Sequence, residues 1–411
     1  MRPPLCLRHA WAAVLLVCAC PAGAQDWPQW RGPNRDGSIV GVALPPSWPE
    51  RLARKWTVMV GEGHSSPVAA GGRVYQFSRL NDQETVTALD AGGKLLWRVS
   101  YDAPYQMNPA ATGHGKGPKS TPVLHRARLY TLGISGILSC FDAESGRRLW
   151  QKDFSKRFRT TSPLYGAAMS PIVHQETLIA HVGGDGGGAL AAFDLATGAE
   201  KWTWTGDGPG YASPVIAAFG GAPHLLTQSE SKIIAIAPDT GRLLWEIPFT
   251  TPWVQNIVTP AVQGGAVILS GLSSPTFAVR PRLALGKWTV ERLWEAPDAS
   301  MYMSSPVLAA NRILGFTNRN KGQLFLQDPA SGKVLWTGKP RSGDNAAILH
   351  AGATALVLTT EAELSVARIT DATVETVRTY SVADTPVWAH PAPVTGGLLV
   401  KDRESLSLWA W

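Results

Sequence analysis

The sequence of 411 residues predicts an all-β fold, an eight-bladed β-propeller with four antiparallel strands in each blade. Short apolar runs such as residues 73–77 and 355–359 lie between turn residues, and long helical patterns are absent. The chain holds 41 Gly and 31 Pro but only 17% charged residues, which also favours strands and turns. A tryptophan that closes a short apolar strand recurs roughly every 41 to 53 residues, the length of one propeller blade.

The first 24 residues have the pattern of a secretory signal peptide. Basic Arg2 and Arg8 precede an apolar run over residues 10–19, which is too short to span a bilayer, and a small-x-small cleavage site ends at Ala24. We therefore expect a periplasmic or secreted protein that is cleaved near Ala24. The alternative is an outer-membrane lipoprotein that carries its lipid on Cys20. In this division residues 1–24 are the signal peptide, residues 25–50 an N-terminal extension and residues 51–411 the propeller.

Cysteine content and charge limit the partners. Cleavage would leave Cys140 as the single cysteine, so the exported chain would have no internal disulfide and would depend on its core. The formal net charge is +7, but charges of both signs are scattered. We therefore expect a monomer that binds no nucleic acid, while peripheral association with a membrane stays open. The histidines are dispersed and Cys-x-x-Cys is absent, so no metal site is expected.

Two repeating markers give the number of blades. The tryptophans of the repeat are Trp56, Trp97, Trp150, Trp202, Trp245, Trp294 and Trp336, and Tyr380 takes the next place. A second marker, Ser/Thr-Pro-Val or a variant of it, lies roughly 30 residues before each of these positions except Trp56. The markers are centred on Pro67, Pro122, Pro171, Pro214, Pro260, Pro306, Ala347 and, after Tyr380, Pro393. Eight markers predict eight blades, and seven is the alternative because the copy at Ala347 is weak.

The two ends of the repeat are each incomplete. Trp56 has no marker before it, and the marker at Pro393 has no tryptophan strand after it at the usual distance. The N-terminal strand around Trp56 is therefore expected to complete the C-terminal blade. Pairing of the two chain ends would close the ring and remove its open edges.

The stretch FDAESGRRLW, residues 141–150, places Asp142, Gly146 and Trp150 four residues apart, and FDLATGAEKW at residues 193–202 repeats these offsets. The acid is expected to accept backbone N–H groups in a tight turn, and the glycine to supply a positive φ. The tryptophan then lies on the outer strand, where its ring would pack between blades. Because the same group recurs around the ring, where no single substrate could reach every copy, the motif is interpreted as structural and not catalytic.

The form A-x-D-x-x-T-G-x-x-x-W, as in AFDLATGAEKW, resembles the repeat of pyrroloquinoline quinone (PQQ)-type propellers. The resemblance covers nearly all of residues 25–411, and DWPQWRGPNRDG at residues 26–37 is similar to the start of many exported bacterial proteins of this group. One branch of this family consists of dehydrogenases that hold PQQ and calcium. The other branch consists of non-catalytic propellers such as BamB, a scaffold of outer-membrane assembly. The resemblance to the second branch implies a scaffold that binds a protein or peptide in the envelope.

Two alternatives stay open, a PQQ-dependent alcohol dehydrogenase and a carbohydrate- or polymer-binding propeller. In a propeller, the loops that enter the innermost strands line one mouth of the channel. Side chains in these loops predict a polar and aromatic funnel that binds a ligand or partner, against the alternative of ordinary tight loops. They are His64, Lys119, Tyr165, Tyr211, Asn256, Tyr302, Asn345, Trp388 and His390.

The longest of these loops, residues 101–119, is expected to cover the mouth, and residues 183–188 form a glycine-rich hairpin tip. The acids near the funnel are Glu62, Asp207 and Asp344, too few for the six to eight oxygens that calcium takes. We therefore expect no catalytic residue, no metal and no cofactor.

Overall fold

The computed structural model describes residues 26–411, which form eight four-stranded antiparallel sheets arranged as an eight-bladed β-propeller. The expectations about the signal peptide, Ala24 and Cys20 lie outside the described residues. Between residues 26 and 411, no helix has the length and the apolar character needed to cross a membrane. The 3-10 helices are short and lie at Pro109–His114, Pro252–Val254 and Arg319–Lys321.

The strands follow the repeat. Strand β1 spans Ala53–Met59. Blades 1 and 2 comprise β2 (Val68–Ala70), β3 (Arg73–Leu80), β4 (Gln83–Asp90) and β5 (Leu95–Asp102), then β6 (Val123–His125), β7 (Arg128–Leu132), β8 (Leu138–Asp142) and β9 (Arg148–Lys152). Blades 3 and 4 comprise β10 (Ile172–His174), β11 (Thr177–Gly184), β12 (Gly187–Asp194) and β13 (Glu200–Trp204), then β14 (Val215–Phe219), β15 (Ala222–Gln228), β16 (Lys232–Ile236) and β17 (Leu243–Pro248).

Blades 5 and 6 comprise β18 (Ala261–Gln263), β19 (Ala266–Gly271), β20 (Ser274–Ala284) and β21 (Lys287–Ala296), then β22 (Val307–Ala309), β23 (Arg312–Thr317), β24 (Gln323–Gln327) and β25 (Val334–Thr337). Blades 7 and 8 comprise β26 (Ala346–Ala351), β27 (Thr354–Thr359), β28 (Glu363–Ile369) and β29 (Val374–Ser381), then β30 (Ala392–Val394), β31 (Gly397–Lys401) and β32 (Ser405–Ala410). Middle strands such as β3 and β4 are buried on both faces, whereas the outer strand β5 is largely exposed.

The predicted closure of the ring is confirmed. Strand β1 pairs antiparallel with β32, so that the last blade has the order β1-β32-β31-β30. Within this pair the hydroxyls of Thr57 and Ser407 lie 2.9 Å apart. The weak copy at Ala347 forms a complete blade from β26 to β29, which confirms eight blades and excludes seven. Backbone pairing needs no particular marker sequence, so the degenerate copy still folds as a blade.

The Ser or Thr of the marker links neighbouring blades. The hydroxyl of Thr121 accepts the backbone N–H of Ser66 at 3.2 Å, and the hydroxyl of Ser170 accepts that of Thr121 at 2.9 Å. The same bond joins Ser170 to Ser213 and Thr259 to Ser305. These hydroxyls therefore link blades 1 to 4 in series, and blade 5 to blade 6, along the channel.

The turn in the stretch FDAESGRRLW is the place where the preceding blade packs against blade 2. The carboxylate of Asp142 accepts the backbone N–H and the hydroxyl of Ser145, and Gly146 has a φ of 74°. The indole of Trp97 lies against Gly146 and donates its N–H to the Ala143 carbonyl at 3.2 Å. Each such tryptophan thus packs on the turn of the blade that follows its own. The same pairing of tryptophan and turn glycine occurs at Trp56 with Gly93, Trp150 with Gly198, Trp202 with Gly241 and Trp294 with Gly332.

Two copies depart from this pattern. The indole N–H of Trp245 is buried without a hydrogen-bond partner, because the facing turn lies at the tip of the long hairpin formed by β20 and β21. For Trp336 the corresponding turn of the next blade lies between β28 and β29 and contains no glycine. Tyr380 takes the last place, and its hydroxyl donates to the Pro49 carbonyl at 2.6 Å.

Residues 27–39 cross the channel and contact every blade; we call them the hub segment. Its backbone pairs with Ala69 of blade 1, Leu124 of blade 2 and His350 of blade 7. Its side chains reach the other blades through Arg35 to Pro171 and Pro214, Trp30 to Thr259 and His390, and Arg31 to Pro306. The N-terminal extension is therefore an integral part of the propeller core, and it closes the channel.

Candidate functional site

A cavity of about 250 Å³ opens at the mouth where the loops enter the innermost strands. The structure brings eight of the nine funnel residues expected from sequence to this cavity. They are His64, Lys119, Tyr165, Tyr211, Tyr302, Asn345, Trp388 and His390. Each comes from the loop before an inner strand, so the eightfold repeat itself makes these side chains converge.

Asn256 does not line the cavity, although the sequence placed it in the funnel. Its side chain is fully buried, and its amide donates to the carbonyls of Ser229, Glu230 and Phe249 at 2.8 to 3.1 Å. The buried amide thus holds the loop over residues 249–256 in place. Its neighbours Gln255 and Ile257 line the cavity instead.

The sequence did not single out several residues that line the cavity. Trp30 belongs to the hub segment, and its ring centroid lies 4.4 Å from that of His390. It follows no repeat, so spacing alone could not have identified it. His114 lies at the end of the 3-10 helix in the loop over residues 101–119, with its ring 4.7 Å from Trp388 and 5.8 Å from His64. This loop therefore contributes one wall of the cavity.

Lys119 is the one fixed positive charge of the cavity lining. Its ammonium donates to the Tyr165 carbonyl at 2.7 Å, and burial lowers its pKa to about 8. The ammonium still carries its proton at neutral pH, and no Asp or Glu lines the cavity to balance it. Burial also lowers the pKa of His64 and of His390 to about 3, so both rings are neutral at that pH. The cavity therefore favours groups that accept hydrogen bonds or carry negative charge.

Two ring nitrogens in the lining have no hydrogen-bond partner, Nε2 of His64 and Nδ1 of His390. A buried polar atom without a partner costs about 1 to 3 kcal/mol, so such atoms mark places where a ligand or water could bond. The serine hydroxyls of the lining, in contrast to these nitrogens, have hydrogen-bond partners. Ser213 and Ser305 already accept a backbone N–H from the neighbouring blade, at 2.9 and 3.0 Å.

The lining does not fit a calcium-bound quinone. Calcium takes six to eight oxygen ligands, usually with carboxylates among them. The lining offers imidazoles, phenols, indoles, amides and one ammonium, but no carboxylate. Within residues 26–411, no three His, Cys, Asp or Glu side chains converge as metal ligands. The thiol of Cys140 is buried within blade 2, so no cysteine of the described chain is placed against the cavity.

The described chain resembles known proteins in sequence. The family model described as outer membrane protein assembly factor BamB matches residues 82–338. Outer membrane protein assembly factor BamB of Burkholderia pseudomallei is 23% identical over 264 residues, which cover 60% of each chain. The protein of the same name from Shewanella oneidensis is 23% identical over 213 residues, which cover 50% of each chain. The matches thus span about half to 60% of the length of these relatives.

Two solved structures show the same fold. The quinohemoprotein alcohol dehydrogenase from Comamonas testosteroni superposes with a TM-score of 0.69 at 14% identity, over 94% of this chain and 80% of the other. BamB from Moraxella catarrhalis superposes with a TM-score of 0.62 at 13% identity, over 88% of this chain and 98% of the other. At such identities these likenesses show the fold alone. The family model, in contrast, matches more than half of the sequence, and the chain therefore belongs to the family described as outer membrane protein assembly factor BamB.

Proposed function

We propose that the chain is an exported, non-catalytic propeller scaffold that binds a protein partner in the bacterial envelope during outer-membrane protein assembly. Membership in the family and the names of the matched relatives support this role. In this proposal the signal peptide is removed near Ala24, and the protein acts as a monomer in the periplasm or at the inner side of the outer membrane.

The observation that carries the proposal is the chemistry of the funnel. It combines flat aromatic walls, one ammonium and two unpartnered imidazole nitrogens with hydroxyls that are already bonded. Tyrosine and tryptophan supply large contact area with little loss of side-chain entropy, which suits the recognition of a polypeptide. The hub segment closes the channel behind them, so that a partner would bind at the mouth without passing through.

An affinity pull-down from envelope extracts, read by mass spectrometry, tests the proposal. The exported chain is compared with Trp388→Ala, which removes one wall of the funnel, and with Trp288→Ala as a matched control. Trp288 lies on the long hairpin at the opposite end of the blades, packed on His224. We expect one protein to be enriched by the wild type and by the control but not by Trp388→Ala. Equal enrichment by all three, or none by the wild type, would contradict the proposal.

A polysaccharide-binding propeller is the second candidate. The rings of Tyr211, Tyr302 and Trp388 line the same cavity, and flat aromatic faces also pack on sugars. Retention of the wild type, but not of Trp388→Ala, on immobilised envelope polysaccharide would replace the first proposal with this one. Turnover of an alcohol after addition of PQQ and calcium would exclude both.

A further inference from the structure

We propose that the funnel rim over blades 3 to 5 is the docking surface for an extended cationic segment of the partner, with Lys or Arg next to apolar side chains. This inference rests on the proposed scaffold function and names the chemistry of its partner. We call the surface the acidic rim and define it by five residues, Leu164, Asp185, Asp207, Glu230 and Trp253. Of these, the sequence singled out only Asp207, as one of the acids near the funnel.

The acidic rim is one contiguous surface. Burial raises the pKa of the Asp185 carboxyl, and the nearby backbone of Leu164 opposes that rise. The carboxylate of Glu230 accepts the backbone N–H of Gly186, next to Asp185, at 2.9 Å. The amide of Asn256 then donates to the Glu230 carbonyl at 3.1 Å and ties in the loop that carries Trp253. Hydrogen bonds thus connect three successive loops around the mouth.

The glycine-rich hairpin over residues 183–188 holds Asp185 in place. A Cβ on Gly184 would lie 2.4 Å from the Thr160 hydroxyl, and one on Gly188 would lie 2.6 Å from Pro209. The hairpin is therefore packed tightly between the loops on either side, and its glycines are needed for close approach. At its tip Asp185 is exposed.

The carboxylates of the acidic rim have no cation to balance them. Among the ion pairs formed by residues 26–411, none includes Asp185, Asp207 or Glu230. The nearby ammonium of Lys232 pairs instead with Glu246. Burial raises the pKa of Glu230, and the charges of Asp185 and Asp207 raise it further. A cluster of negative charge on a chain of net charge +7 favours a cationic partner.

Two exposed apolar side chains flank these acids. The side chain of Trp253 is 73% exposed, and that of Leu164 is 45% exposed. Trp253 and Val254 have φ values of 60° and 56°, although neither lies in a hairpin turn. Left-handed backbone in such residues is unfavourable and persists where surrounding contacts enforce it. Here the buried Asn256 anchors the loop and thereby holds the indole outward.

This combination selects one kind of occupant. Acidic residues disfavour an anionic lipid surface, whose potential attracts Lys and Arg. The acids also do not converge as metal ligands within the described chain. A polypeptide with alternating basic and apolar side chains can place cations over Asp185 and Glu230 while its apolar groups cover Leu164 and Trp253. Tryptophan is enriched among the residues that contribute most to binding between proteins.

Fluorescence anisotropy with two labelled peptides tests the inference on the full exported chain. The probes are Leu-Arg-Trp-Arg-Leu and Leu-Glu-Trp-Glu-Leu, both blocked at their ends. We expect the basic peptide to bind at least about tenfold more tightly, with an affinity that falls as salt is added. The double variant Asp185→Asn/Glu230→Gln and the single variant Trp253→Ala should each weaken its binding about tenfold. Equal binding of the two peptides, or wild-type affinity of the double variant, would overturn the inference.

A matched control removes two acids from the opposite end of the blades, Glu176→Gln/Asp371→Asn, and should leave the binding of the basic peptide unchanged. Both residues lie in turns there, and their exposed carboxylates pair with arginines. The envelope pull-down separates the two proposals. A partner captured equally by the wild type and by the folded double variant contradicts the inference alone. A wild type that captures no partner contradicts the scaffold function.

Discussion

A single glycine shows how one blade fixes the next. Gly146 lies in the turn before the outer strand of blade 2, beneath the indole of Trp97 from blade 1. Its positive φ makes the turn, and its missing side chain leaves room for the ring. The two requirements can be separated, because Gly396 has a nearly identical φ of 73° but open space where a Cβ would be.

We expect Gly146→Ala to be more destabilising than Gly396→Ala. Both substitutions place a methyl group on left-handed backbone, which costs about 1 kcal/mol. At Gly146 the new Cβ would also lie 2.6 Å from the Trp97 ring, and such overpacking adds about 2 kcal/mol. The free energy of unfolding, measured in urea for both variants, gives the difference. Equal losses of unfolding free energy would show that the Trp97 indole does not need the space left by the missing side chain of Gly146.

Glu84 is a buried carboxyl between blades 1 and 2. Its Oε1 accepts the backbone N–H of Ile134 at 2.6 Å, and burial raises its pKa from 4.5 to about 7. Because its pKa is higher in the folded chain, the folded state binds the proton more tightly than the unfolded state. The stability that this proton contributes is complete below about pH 4.5 and is lost as the pH rises through 7.

Glu84→Gln should therefore change how stability depends on pH. The amide keeps an oxygen for Ile134 and stays neutral at every pH. We expect the variant to match the wild type near pH 4 and to be more stable at pH 8, by on the order of 3 kcal/mol. Urea unfolding at both pH values measures the effect. A constant difference between variant and wild type would show that Glu84 does not titrate in this range.

At the scale of strands, the closing pair β1 and β32 has an internal counterpart. Thr57 of β1 and Ser407 of β32 face each other with hydroxyls 2.9 Å apart, and so do Thr85 of β4 and Ser100 of β5. The first pair joins residues 350 positions apart in sequence, whereas the second joins residues 15 apart. The two pairs share local geometry and differ in the length of chain that they enclose.

Replacing each pair by two cysteines is expected to stabilise the ring unequally. A disulfide removes more entropy from the unfolded chain when it closes a longer loop, about 3 kcal/mol for 15 residues and between 5 and 6 kcal/mol for 350. The Thr57→Cys/Ser407→Cys variant should thus gain about 3 kcal/mol more than Thr85→Cys/Ser100→Cys. Comparing urea midpoints with and without reductant tests this. Equal gains would indicate that the chain ends already stay together in the unfolded state.

The strands that the sequence predicted are those whose turns have strict backbone requirements. Asp142 and Gly146 mark a turn that needs a positive φ, so their offsets identified the blade before any contact was known. The long hairpin of β20 and β21 has no such turn motif at the expected place. The sequence therefore did not predict that the indole N–H of Trp245, which faces this hairpin, has no hydrogen-bond partner. The funnel residues were found because the repeat places their loops at one mouth. Asn256 was assigned there wrongly, since sequence does not show which way a side chain turns.

At the scale of the whole molecule, the hub segment could not be predicted from periodicity. It occurs once, and its contacts reach residues more than 100 positions away, as with Arg35 and Ser170. Two of its side chains, Arg31 and Arg35, are buried without a salt bridge. Burial lowers the pKa of Arg31 to about 10 and that of Arg35 to about 9, so both stay charged at neutral pH. The carbonyl groups at the ends of the inner strands direct the negative ends of their dipoles at these two guanidinium groups and thereby compensate the buried positive charge.

Arg35 is therefore expected to hold blades 3 and 4 together from inside the ring. Its guanidinium donates to the carbonyls of Ser170, Pro171 and Pro214 at 2.7 to 3.0 Å. Arg35→Met keeps most of the side-chain volume but leaves these carbonyls without that donor, at a cost of about 1 to 3 kcal/mol each. We expect the free energy of unfolding of Arg35→Met to fall by about 4 kcal/mol or more. The free energy of unfolding of Arg35→Lys should fall by less, because an ammonium cannot reach all three carbonyls.

The matched control is Arg126→Met, which removes an arginine from an exposed pair with Glu176 and should cost less than about 1 kcal/mol. Hydrogen exchange gives a second readout, since only a hub role predicts where the loss appears. In Arg35→Met the amides of β10 and β14 should exchange faster than those of the inner strands β2 and β30, which Arg35 does not contact. Uniform loss of protection around the ring would instead mean that the eight blades open together, and that the hub segment acts on the propeller as one unit.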